Sequence, residues 1–211
     1  MKSLKVCFPR YIFPSVLLSI CAAVTFFLVD RPLLSWTISL KIGYCPYLEL
    51  LSHVICPPSL LIVGVGAYLF VRFSTKRDLS TPLFEIAITQ CCAFAVTSAM
   101  KIVSGRARPN IFIDDGIYGF YGCHLDTHYH SFPSGHTLSI FAFATSLSLL
   151  FPRYRLHYYF IATLLSLSRI LTVKHYLSDI LGAASVGIII ATTTHTIVKK
   201  VIKSAKHHAL L

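Results

Sequence analysis

The chain has 211 residues, of which 55% are hydrophobic and only 13% charged, with a formal net charge of +11. Soluble domains carry about 25% charged residues, so this balance excludes a freely soluble fold. The basic excess does not indicate nucleic acid either: such a partner needs a basic patch on a soluble surface, and here the lysines and arginines fall in short segments between apolar runs. Seven cysteines without a CxxC pair exclude a fully paired disulfide framework and a zinc ribbon. Most read as small packing residues. A Cys45–Cys56 bond stays open if their loop faces an oxidising compartment.

Six charge-poor apolar stretches follow in order, at about 11–29, 54–71, 83–100, 137–151, 156–173 and 180–198. Each approaches the ~20 residues that cross a bilayer, and lipid obliges so continuous a run to satisfy its backbone as a helix. No Pro/Gly/Ser-rich linker divides the chain, so residues 1–211 read as one integral-membrane domain, an all-α bundle of six transmembrane helices. Lys2, Lys5 and Arg10 precede the first stretch as in a signal peptide. Asp30-Arg31-Pro32 follows it without a small-residue cleavage site, however, and it is read as a retained span. Residues 31–52 then mix Leu33, Leu34, Trp36, Ile38, Leu40 and Leu48 with Arg31, Lys41 and Glu49. That mixture suits a helix lying in the outer interface and an ordinary loop equally. The fourth stretch is the shortest, and its helix is expected to begin inside Ser134-Gly135-His136.

With both termini in the cytoplasm, twelve lysines and arginines lie inside and seven outside, which satisfies the positive-inside rule. The seven are Arg31, Lys41, Lys101, Arg106, Arg108, Arg169 and Lys174. Orientation does not explain them, so they call for a chemical reason.

Three segments at the outer ends of spans supply one. Lys101 precedes Arg108-Pro109 after the third span, Pro133-Ser134-Gly135-His136 opens the fourth, and Ser168-Arg169 at the end of the fifth leads to His175 and Asp179. These residue types suit holding a phosphate while attacking it. Lys101, Arg108 and Arg169 bring positive charge, and the arginine fork matches tetrahedral oxyanions. Ser134 and Gly135 stand where a helix begins and its unpaired N–H groups can point at an anion. His175 and Asp179, four apart, share one helix face. A carboxylate accepting from one imidazole nitrogen leaves the other free to attack phosphorus. His136 is then a separate acid for the leaving oxygen. Alone, each segment has a bland reading, as headgroup-binding arginines, a structural His–Asp hydrogen bond or a Pro-Ser-Gly turn. The three together in this order are specific.

In this order the segments resemble the signature of the type-2 phosphatidic acid phosphatase family, within the lipid phosphate phosphatase/vanadium haloperoxidase superfamily. Its K-x6-RP, PSGH and SR-x5-H-x3-D motifs are matched without departure by Lys101 to Arg108-Pro109, Pro133 to His136, and Ser168-Arg169 to His175 and Asp179. The resemblance implies a metal-independent, cofactor-free membrane phosphatase with its active site at the extracytoplasmic helix ends. His175 would form a phosphohistidine, Asp179 would orient it and His136 would protonate the leaving alcohol. Lys101, Arg108, Ser134, Gly135 and Arg169 would bind the phosphate. The implied substrate is a phospholipid or other lipid phosphate: phosphatidylglycerophosphate, phosphatidic acid, undecaprenyl pyrophosphate or lipid A. The compact chain leads us to expect a bacterial cytoplasmic membrane.

Rival functions use the same features. A lipid phosphotransferase would pass the phosphate to another lipid or sugar instead of water. A six-helix transporter would use the charges as a vestibule, yet transporters bury ionisable groups near mid-membrane, and these sit at helix ends. A vanadate-dependent peroxidase shares the motifs, but its known branch is soluble. In the loop 110–132, His124, His128 and His130 could offer imidazoles to zinc or copper. No periodicity gives them a fixed geometry, so no metal is expected. Arg106, Lys174, Tyr121 and Tyr129 read as substrate contacts or interfacial anchors.

Overall fold

The computed structural model describes residues 2–40, 47, 50, 56–73 and 80–208. These form α1 (Lys2–Leu28), α2 (Asp30–Ser39), α3 (Pro57–Phe73), α4 (Ser80–Ser104), α5 (Pro109–Asp115), α6 (Gly135–Leu150), α7 (Arg155–Leu171) and α8 (Leu177–His208). Among the described residues there is no strand, and the fold is all-α. Helices α1, α3, α4, α6, α7 and α8 coincide with the six expected stretches. Three segments, Tyr11–Leu28, Ser80–Ser104 and Leu177–Ala205, are long and apolar enough to cross a membrane, while α3 and α6 are shorter apolar helices. Phe13, Phe27, Phe70, Phe73 and Phe160 stand exposed on the outside of the bundle. Such a surface belongs in lipid rather than water, and the chain is an integral membrane protein.

Helix α2 resolves part of the 31–52 segment as helix, with Asp30, Leu34 and Thr37 buried and Trp36 outward. Much of the remainder, Cys45 included, lies outside the described residues, and with it the question of a Cys45–Cys56 bond.

At the centre, α8 packs against α1 on one side and α6 on the other. Small residues make this closeness possible: Ala93, Ala142 and Ala183 pack with Leu138 in one buried cluster. In a bilayer, where apolar side chains gain little by leaving lipid, close backbone approach is what favours helix association. Helix α6 is the most enclosed, burying Ser139, Thr145, Ser146 and Ser148 along with its apolar residues. Its polarity therefore reflects a position inside the bundle. Further along, His195 Nδ1 of α8 lies 2.6 Å from Glu85 Oε1 of α4, both buried.

Candidate active site

The three motif segments converge at one end of the bundle. Helix α4 ends just past Lys101, and Ser134 in extended conformation starts α6 with no side-chain cap. That helix start comes where the sequence placed it. The Ser134 N–H donates to the backbone carbonyl of Asp179 at 3.4 Å, joining the starts of α6 and α8. The Arg169 carbonyl, near the end of α7, accepts from the N–H groups of Lys174 and His175 at 3.1 and 3.3 Å. Between them Val173 takes φ +56°, a left-handed conformation costly for a β-branched residue, which folds the chain back toward the site.

Lys101 reaches the beginning of α6, and Arg108 and Arg169 lie close enough to Lys101 to act on its charge. A Cβ at position 135 would lie 3.2 Å from Thr97 Cγ2 and 3.6 Å from Lys101 Nζ. Glycine leaves that space to an anion approaching the uncapped first turn, where the helix dipole favours negative charge. Lys101, Arg108 and His136 are half-buried, while Ser134, Gly135, Arg169 and His175 are buried. The Arg108 backbone N–H donates to the His128 carbonyl and its Nε to that of Thr127, both at 3.0 Å. Burial pulls the Arg108 guanidinium below the usual arginine range, partly opposed by Asp179. Lys101, Arg108, Gly135, Arg169 and Asp179 thus share one neighbourhood, with Ser134 and His136 flanking Gly135 in the chain.

His175 sits just ahead of α8 and Asp179 in its first turn, with His175 Nδ1 and Asp179 Oδ2 3.5 Å apart. That is longer than a formed hydrogen bond, and a movement of roughly half an ångström closes it. Such looseness is common before substrate binds. Burial pushes the imidazole down to about 4, outweighing the Asp179 carboxylate, with Arg108 and Arg169 adding to the depression. His175 is therefore unprotonated at neutral pH, as a nucleophile must be. Asp179 Oδ2 also accepts from Ser131 Oγ at 2.6 Å and from the Tyr176 N–H at 3.0 Å.

Arg106 corrects the sequence-based expectation: it is fully buried and anchors no interface. Its Nη1 donates to Asp179 Oδ1 at 2.5 Å and to Ser178 Oγ at 2.7 Å, and its Nη2 donates to Asp30 Oδ2 at 2.7 Å. Phe26, Phe120, Tyr118 and Tyr176 pack rings around the guanidinium, with centroids 4.7–5.7 Å from Cζ. Burial works against the charge, but Asp179 and Asp30 overcome it and raise the group above the usual arginine range. Asp30 in turn accepts from the Ser178 N–H at 3.0 Å and from Ser178 Oγ. Sequence reasoning missed Asp30 and Ser178. The local signal for Asp30, an acid abutting an apolar span, says nothing of a partner 76 residues away.

The loop 110–132 is likewise more ordered than its lack of periodicity suggested. Ala107 N–H donates to the Gly119 carbonyl, Tyr121 N–H to Gly105 and Ser131 N–H to Arg106, weaving the loop around Arg106. Gly105 is required here: at φ +51° its backbone lies so near Gly122 that a Cβ would fall 1.8 Å from the Gly122 carbonyl oxygen. The His124 ring stacks on Tyr129 at 4.3 Å, and His130 Nε2 lies 2.8 Å from the His124 carbonyl oxygen. Among the described residues, no three His, Cys, Asp or Glu side chains gather as a metal-holding group.

Comparison with known proteins bears on the same region. The chain is 32% identical over 129 residues to lipid A 1-phosphatases of Rhizobium johnstonii and Rhizobium etli, covering 61% of this chain and 46% and 48% of theirs. A lipid A 1-phosphatase of Porphyromonas gingivalis is 36% identical over 91 residues, 41% of this chain and 20% of that one. The chain spans about half the length of the two Rhizobium relatives. The crystal structure of a transmembrane PAP2-type phosphatidylglycerolphosphate phosphatase from Bacillus subtilis superposes over 95% of this chain and 98% of that one, at 17% identity and a TM-score of 0.34. Residues 81–203, which contain every motif residue from Lys101 to Asp179, match the PAP2 superfamily, and the chain belongs to that superfamily.

Proposed function

We propose that this protein is a membrane lipid phosphatase that hydrolyses a lipid phosphate through a phosphohistidine on His175, with the 1-phosphate of lipid A as its first-choice substrate. The observation carrying this reading is the buried His175 beside Asp179, at the end of the bundle where Lys101, Arg108, Arg169 and the start of α6 come together. The lipid A preference rests on the relatives' names. The chemistry runs in two balanced steps. His175 Nε2 attacks phosphorus, the P–O bond to the lipid breaks, and His136 gives its proton to the departing oxygen. Water, losing a proton to His136, then attacks the phosphohistidine, breaking the P–N bond and releasing phosphate. Asp179 accepts the Nδ1–H and opposes the positive charge that builds on the ring. Lys101, Arg108, Arg169 and the first-turn amides of α6 stabilise the equatorial oxygens. No step requires a metal.

The six helices are proposed as six spans, with both termini cytoplasmic and the site facing outward in a bacterial cytoplasmic membrane. The test is phosphate release by the purified protein from lipid A, phosphatidic acid, phosphatidylglycerophosphate and undecaprenyl pyrophosphate. Product mass spectrometry would locate the lost phosphate. We expect fastest release from lipid A and none from His175→Ala. Release from another lipid alone would move the substrate and keep the chemistry; transfer to an added lipid without free phosphate would make the protein a phosphotransferase.

A further inference from the structure

We propose that Arg106 and Asp30 are positioning residues that hold Asp179 in register for His175 and keep its charge available to the imidazole. This rests on the proposed phosphohistidine chemistry and deepens it.

The geometry points this way in three respects. First, the two oxygens of Asp179 are divided. Oδ1 is held by Arg106 at 2.5 Å, and Oδ2 accepts from Ser131 and Tyr176 while facing His175. A carboxylate gripped on one oxygen by a rigid guanidinium cannot rotate its other oxygen away from the imidazole without breaking that bond. Second, Arg106 is itself fixed. Four aromatic rings enclose it, and its other nitrogen is bound by Asp30. Asp30 also takes the Ser178 N–H, in the same first turn of α8 that carries Asp179. The junction of α1 and α2 therefore sets the angle at which α8 presents Asp179.

Third, the charges do not cancel. A single Arg106–Asp179 pair would be neutral, and Asp179 would do little for a cation forming on His175. Asp30 shares the same guanidinium, so the buried trio sets two carboxylates against one guanidinium, an excess of one formal negative charge. At low dielectric that charge favours the phosphohistidine-forming step, in which the imidazole becomes positive. The phosphate is bound by other groups, Lys101, Arg108 and Arg169, and Asp179 acts on Lys101 and Arg108 only through space. Loss of the trio should therefore appear in kcat and not in KM.

The experiment uses the full-length protein in detergent, with Asp30→Asn, Arg106→Lys, Arg106→Gln and Asp179→Asn, and the double variant Asp30→Asn/Asp179→Asn. Phosphate release gives kcat and KM, and acid quench gives the rate of phosphohistidine formation. Asp30→Asn is nearly isosteric and keeps an oxygen for Arg106, so it carries the test if Arg106→Gln does not fold. We expect Asp30→Asn to lower kcat and phosphohistidine formation roughly 10- to 100-fold, the scale of a displaced reacting group, with KM changed less than about threefold. Arg106→Lys should recover part of what Arg106→Gln loses. The double variant should lose little beyond Asp179→Asn alone, because Asp30 acts through Asp179. Wild-type kcat in folded Asp30→Asn, a loss confined to KM, or full additivity in the double variant would overturn the inference. An active wild type abolished by His175→Ala alongside any of those results would leave the functional reading standing; an inactive wild type would overturn both.

Discussion

At the scale of single residues, the proposed mechanism gives the two motif histidines different tasks, and they should separate by leaving group. A lipid alcohol leaves poorly without a proton, whereas nitrophenolate leaves unaided, and general acid catalysis contributes about 10²–10⁴-fold where it is needed. If nitrophenyl phosphate is accepted, His136→Ala should keep more activity on it than on lipid, and His175→Ala should lose both. Acid-quenched wild type should carry an acid-labile, base-stable phosphate absent from His175→Ala. Wild-type turnover by His175→Ala would refute the nucleophile assignment. The pH profile adds a second check. Burial depresses His175 to about 4, so the free base persists well below the ordinary imidazole range. The acid limb of kcat/KM owed to His175 should fall near pH 4; a limb near 6.5 would put the ring in water-like surroundings. The sign for stability follows the same shift. The unfolded chain takes up a proton that the folded one refuses, so the fold loses stability as pH drops from about 6.5 toward 4.

The family and the segments that meet at this end of the bundle were legible in the sequence because the types and order of Lys101, Arg108, Ser134, His136, Arg169, His175 and Asp179 mark them. What held Asp179 in place was not. The partners of Arg106 are Asp30 and Asp179, 76 and 73 residues distant, and no local pattern records a pairing made only when α1 packs beside α8. Reading Arg106 as a substrate contact or an interfacial anchor followed from charge alone, which cannot distinguish either from a guanidinium enclosed by rings.

At the scale of elements, apolar runs marked where the helices lie, but not which helix is central. Serines and threonines are densest, of the six stretches, in the one that becomes α6. Those same small residues place it inside, because a helix surrounded by others can bury side chains that lipid would refuse. The pair Glu85–His195 shows a related effect between α4 and α8. Removing one partner leaves a buried polar group unmatched, whereas an amide can still hydrogen-bond. We expect Glu85→Ala to destabilise the detergent-solubilised protein by about 1–2 kcal/mol and Glu85→Gln by less. Thermal unfolding followed by size-exclusion chromatography would measure both. Glu85 lies sixteen residues before Lys101 on α4, about 24 Å along the axis, so activity per folded molecule should survive. A fall in kcat for folded Glu85→Gln would mean that the pair is coupled to the site.

At the scale of the whole molecule, charge balance should decide how the phosphoryl group is stabilised. Lys101, Arg108 and Arg169 bring three cations to one end of the bundle, joined by the amides of α6. In the proposed mechanism these groups stabilise the phosphoryl oxygens without a metal. Exhaustive chelation should leave activity intact, and vanadate should inhibit as a mimic of five-coordinate phosphorus. Loss in chelator with recovery on adding zinc would shift attention to the loop of His124, His128 and His130.

The same cations bear on topology. With cytoplasmic termini, seven lysines and arginines lie outward against twelve inward, and seven is high for a rule that disfavours translocated positive charge. The structure divides them. Arg106 is sealed between two carboxylates, and Lys101, Arg108 and Arg169 sit half-buried or buried at the motif site. Of the other three, Lys41 lies outside the described residues. Arg31 lies against the Tyr118 ring, 4.5 Å from its centroid. The effective contrast is thus steeper than twelve to seven, provided the phosphate-binding end faces outward. Reporter fusions should place residue 211 in the cytoplasm and a tag near residue 120 outside. Neutralising Lys199, Lys200 and Lys203 together at the inner end of α8 should weaken the orientation, while neutralising Lys101 and Arg108 should abolish activity and leave the fusions unchanged. If removing those two reversed the reporters, their charges would be serving topology and the division drawn here would be wrong.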